Sequence, residues 1–98
     1  MSYFPMKTFD FIKLQKSNTK YKKYDAILKN KANGKLFIVP FGDKRYSQYK
    51  DNTPLNLYSR LNHNDELRNE RYIKRHIGFI KPLYYSAGFF SIKYLWQY

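Results

Sequence analysis

The chain contains no cysteine among its 98 residues. That excludes disulfide staples, cysteine-ligated zinc and thiol catalysis together, and it suits a reducing compartment. Glycine and proline are sparse, four of each, and no apolar run approaches the roughly 20 residues of a membrane-spanning helix. The opening "MSYFPMKTFDFIKL" lacks the basic-then-apolar order of a secretory signal, so a soluble intracellular product is expected. Catalytic patterns are missing as well. No GxGxxG occurs, and Gly34-Lys35 lacks the glycine-rich lead of a phosphate loop. Asp43, Asp51, Asp65, Glu66 and Glu70 are too scattered to argue paired carboxylates. Neither His63 nor His76 has a partner motif; capping or loop packing suits His63, and His76 falls on an apolar helix side. The expectation is no enzyme, no cofactor and no metal.

What remains is charge and aromatic area. Nineteen Lys+Arg face seven Asp+Glu, for a net charge of +12. Such a balance attracts polyanions: nucleic acid, anionic headgroups or acidic proteins. Abundant Lys, Asn and Tyr also fit the codon usage of AT-rich genomes, so charge by itself does not choose a partner. Phe, Trp and Tyr make up 20% of the residues. Each buries about 150–250 Å², enough to give a short chain of low hydropathy a core. There is room for one small domain.

The pattern predicts an α+β domain over 23–98, preceded by a basic and aromatic arm and linker at 1–22. "KLQKSNTKYKKY" (13–24) reads as a solvated linker. Tyr24, Ala26 and Leu28 then share one strand face, Asn33-Gly34 supplies a type I′ turn, and an apolar run follows. Together these predict a β-hairpin at 23–30 and 35–41, with Pro40 at a strand end or edge. Residues 41–64 read as a long loop of the kind that carries function or is ordered by a partner. Residues 65–77 predict a helix with Asn64 as N-cap, Asp65 and Glu66 at its positive end and Glu70 spaced to pair with Lys74. Gly78 stops it. Ser86 caps a short last helix whose Phe89, Ile92 and Trp96 close the core against the hairpin and the Tyr72/Ile73/Ile77 side.

The candidate binding residues are concentrated in the long loop and the helix after it. Arg68, Arg71 and Arg75 form a stripe, with Lys74 beside it. Lys44, Arg45, Lys50 and Arg60 precede them, interleaved with Tyr46 and Tyr49. Arginine clusters here while lysine dominates elsewhere, and its planar fork suits fixed contacts to carboxylate or phosphate. The interleaved tyrosines fit base stacking or packing at a protein interface. A solvated helix face would show the same charges.

The ordered set "FGD" (41–43), "YSQYKD" (46–51), "HND" (63–65), "RNERYIKRH" (68–76) and "SAGFFSIKYLW" (86–96) resembles a family of small basic uncharacterised proteins of large nucleocytoplasmic DNA viruses of algae and amoebae. The segment between FG and H-x-D is longer here than in compact members. The resemblance implies a viral setting: a virion component assembled in the host cytoplasm at the virus factory. The first reading is a structural protein, a minor capsid or cement component binding larger coat proteins through its basic, aromatic-rich surface. The alternative is a nucleic-acid-binding or genome-condensing protein of the virion core. Attachment to a membrane surface is a weaker third reading, and a small-molecule substrate is not expected.

Overall fold

Lys23 to Leu28 is the longest continuous buried run among the described residues, and burial on both faces requires a central strand. The computed structural model describes residues 3–80 and 83–97, with Phe79 described for its backbone only. In it β3 (Lys22–Asn30) is the middle of a three-stranded antiparallel sheet, between β2 (Phe9–Lys16) and β4 (Leu36–Asp43). Tyr24, Ala26 and Leu28 alternate inward, where they meet Phe9, Val39, Phe41, Phe90 and Leu95 in the core. Asp25 and Ile27 therefore belong to the opposite face. The α+β class expected from the sequence is what the chain adopts.

The expected arm and linker are a correction. Phe9–Lys16 form an edge strand, which takes in the end of the expected arm and the first four residues of the expected solvated linker. The sequence hides it because the register slips between Phe11 and Lys13, so that Phe11 pairs with Leu28 and Leu14 with Ala26. The extra residue, Ile12, is a bulge. It keeps Phe9, Phe11 and Leu14 on one face although their spacing breaks strict alternation. Ahead of it, β1 (Phe4–Pro5) pairs with β5 (Tyr84–Tyr85) and draws the two ends of the chain together. Phe4 meets Phe9 edge-on at 5.2 Å.

The hairpin stands where the sequence places it, but its turn is longer than a two-residue type I′. The Asn30 N–H donates to the Lys35 carbonyl, and the Gly34 N–H to the Asn30 carbonyl, both at 2.8 Å. The side chain of Asn30 accepts from Ala32 N–H at 2.9 Å. That local bond favours a wider loop, in which Gly34 alone takes a positive φ, +72°. Gly42 is also left-handed, at +76°, and a Cβ there would lie 2.7 Å from Leu95 Cδ1. The "FGD" glycine is thus required twice, by its torsion and by its packing.

Two helices complete the domain: α1 (Glu66–His76) and α2 (Ala87–Tyr94). Ser86 caps α2 as expected, its hydroxyl accepting from Phe89 N–H at 3.1 Å. The face that α2 buries is the expected one in part: Ile92 is buried and Trp96 stacks on Tyr72 of α1. Phe90 and Leu95 enter the core, while Phe89 and Trp96 are partly buried at its edge. Phe90 stacks on Phe41 at 5.6 Å and lies parallel to Tyr85, also at 5.6 Å. Pro82, which precedes this helix in the sequence, lies outside the described residues.

Candidate binding surface

The long loop at 44–64 has little regular structure beyond a 3₁₀ turn at Ser59–Leu61, yet it is tied down from within. Asp51 is buried and accepts four hydrogen bonds. They come from Tyr24 Oη at 2.6 Å, Tyr58 N at 3.0 Å, Thr53 N at 3.0 Å and Thr53 Oγ1 at 2.6 Å. Burial alone would raise the Asp51 pKa, but the bonds to Thr53, Tyr24 and Tyr58 outweigh it and hold the carboxyl below its ordinary value. Burial, with the bond to Asp51, pushes the Tyr24 phenol up to about 12.

Beside this carboxylate, Gln48 Nε2 donates to the Tyr58 carbonyl and to Asn62 Oδ1, both at 2.7 Å. Its Oε1 accepts from Lys23 Nζ, which also reaches the Tyr46 carbonyl at 3.0 Å. Lys23 is buried, and burial pulls its pKa down to about 8 against the pull of Asp51 and Asp43. No local pattern in the sequence marks Lys23, Gln48, Asp51 or Asn62 as one network.

The helix α1 follows this loop. Its N-cap is Asp65, not Asn64: Asn64 takes φ +56°, and Asp65 Oδ1 accepts from Leu67 N at 3.1 Å and Arg68 N at 3.2 Å. The Tyr72 ring lies flat on Trp96, centroids 3.9 Å apart and planes within 4°. Asn69 and Gln97 exchange two bonds, at 2.7 and 2.9 Å. Arg68 Nη2 reaches Ser47 Oγ at 3.4 Å. One side of α1 is therefore held by the chain that follows α2, and Arg71, Lys74 and Arg75 on other sides are exposed.

His63 sits at the joint, between Tyr49 at 6.0 Å and Trp96 at 5.2 Å. Its Nδ1 accepts the Asp65 N–H at 2.9 Å, which puts the proton of the neutral ring on Nε2. That atom is buried without a partner among the described residues. Burial, then Arg68, push the His63 pKa down, against Asp65.

The expected binding residues separate into two groups. Arg68, Arg71, Lys74 and Arg75 share α1, and none has a carboxylate partner among the described residues, where the ion pairs are Lys31–Asp10 at 3.7 Å and Arg45–Asp43 at 2.8 Å. The pairing of Glu70 with Lys74 expected from the spacing does not form. The loop cations are engaged locally. Arg45 grips Asp43 through two nitrogens, at 3.0 and 2.8 Å, and lies over the Tyr21 ring at 4.3 Å. Arg60 covers Tyr58 at 5.4 Å and donates to the Leu57 carbonyl at 3.1 Å. Lys50 lies over Tyr49 at 5.2 Å. Lys44 and Tyr46 are exposed, Tyr46 by 64%. Tyr49 is 6% exposed, which removes it as a stacking surface.

Among the described residues no three His, Cys, Asp or Glu side chains come together as a metal site, and no helix is long and apolar enough to cross a membrane. No family model, curated protein or solved structure matches the chain.

Proposed function

We propose that the chain is a non-enzymatic virion structural protein, a cement-type component that grips an acidic surface of a larger coat protein through α1. The observation that carries this reading is the set Arg68, Arg71, Lys74 and Arg75: four cations on one fixed helix with no carboxylate partner among the described residues. A carboxylate from another molecule completes such a surface with charge-assisted, often bidentate bonds. The viral setting comes from the sequence resemblance alone.

The rings favour a protein partner over nucleic acid. Tyr72 is committed to Trp96, and Tyr49 and Tyr58 are buried, so few aromatics remain on this side to stack on bases. Genome condensation stays as the second reading, since the same cations neutralise phosphates. The purified protein, mixed with random-sequence DNA at physiological salt, is expected to give no shift, and to be recovered from disrupted virions with the shell fraction. A strongly salt-dependent DNA shift with recovery in the core fraction contradicts the proposal and supports condensation.

A further inference from the structure

The two edges of the sheet are built differently. The edge strand β2 carries Asp10, Lys13 and Lys16 and is bent by its bulge, the usual means of keeping an edge from pairing. In contrast, β4 reads "LFIVPFG" before Asp43, seven residues without a charge in a chain of net charge +12. Its first three residues are exposed, Leu36 by 64%, Phe37 by 37% and Ile38 by 55%. Because Asn30 N–H bonds the Lys35 carbonyl, alternation in the ladder turns the N–H and C=O groups of Leu36 and Ile38 away from β3. Pro40 pairs with Asp25 in the same phase, so the donor it lacks is an outward one. Among the described residues no other backbone takes up this edge.

We propose that β4 pairs with β4 of a second copy of this chain, antiparallel about a two-fold axis near Phe37–Ile38, joining two sheets into one of six strands. Four outward bonds then form, from the N–H groups of Leu36 and Ile38 in each copy, and none requires a donor from Pro40. On the face opposite the core, Ile38 of each copy extends the apolar row begun by Ile27, which is 6% exposed in the single chain. Like charge opposes a second copy least in this orientation. Leu36–Ile38 lies at the hairpin end of β4, whereas Asp43 leads into the loop whose Ser47 meets Arg68 of α1. Antiparallel pairing therefore sends the two basic helices to opposite ends of the joined sheet, beyond a Debye length of about 8 Å at physiological salt.

A seam this short is at the low end of specific interface sizes, so the expected dimer dissociates in roughly the micromolar range. Sedimentation velocity decides the matter. The full chain is expected to move from its 12.0 kDa monomer toward twice that mass as concentration rises, more readily at 0.5 M than at about 0.05 M salt because the like net charges are screened. Ile38→Lys is expected to abolish the dimer. Ile38→Pro, which deletes one outward N–H as Pro40 already does, is expected to weaken it, with the far-ultraviolet dichroism of both variants unchanged. A monomer up to about 0.5 mM in 0.5 M salt overturns the proposal, since a dimer of roughly micromolar affinity would be almost fully formed there. So does a dimer that survives both substitutions in folded protein. If Ile38→Lys does not fold, Leu36→Lys and Ile38→Pro give the same decision.

Discussion

Asp51 is the residue on which the long loop depends most. It satisfies four donors away from water, and leaving buried donors unpaired costs about 1–3 kcal/mol each. Asp51→Ala is therefore expected to destabilise the domain by about 3 kcal/mol or more, read as a fall in the urea midpoint. Its pH window follows from the direction of its shift. A carboxyl held below its ordinary value stabilises the fold above the unfolded value of 3.8 and loses that contribution as pH falls through the folded value. His63 acts in a different window. Its folded pKa is lowered from 6.5, so the unfolded chain binds more protons and stability drops as pH falls below about 6.5. In His63→Gln the fall in melting temperature between pH 7 and pH 5 is expected to be smaller than in the parent. An equal fall places the titrating group elsewhere. Of this, only the packing of His63 at the helix start is legible in the sequence. Asp51 looks like an ordinary loop residue until Tyr24 is brought to it from far along the chain.

Among the elements, the hairpin, α1 and α2 are visible in the sequence because local chemistry fixes them: alternation in β3, an acidic N-terminus in α1, a serine cap in α2. What escapes is long-range. The β2 strand is concealed by its bulge at Ile12, which breaks the two-residue period that reveals strands. The buried face of α2 is set by the ring stack on Phe41 and Tyr85, so Phe90 and Leu95 are buried with the expected Ile92 while Phe89 stays at the edge. Trp96 meets the Tyr72 side of α1, as expected, and joins that helix to the rest of the domain. Trp96→Ala is expected to cost about 3 kcal/mol and to speed amide exchange in α1 well before that of β3. Uniform acceleration in both elements contradicts the assignment of Trp96 as the mount of α1.

For the whole molecule, the candidate residues were legible as a class but not as an arrangement. Ten were expected along the loop and α1. Arg45, Arg60 and Lys50 are engaged by near neighbours, Tyr49 is buried, and four α1 cations have no carboxylate partner among the described residues. The central claim is that this helix, rather than the bulk charge of +12, carries recognition. The salt needed to elute the protein from immobilised polyglutamate tests it most directly. Three proteins are compared: the parent, Arg71→Glu with Arg75→Glu, and Lys13→Glu with Lys16→Glu, which changes the net charge equally on the exposed edge of β2. The account predicts that the α1 variant elutes at much lower salt than the β2 variant, with both folded by dichroism. Equal losses in the two variants would contradict it, leaving α1 a solvated surface on a generally basic protein.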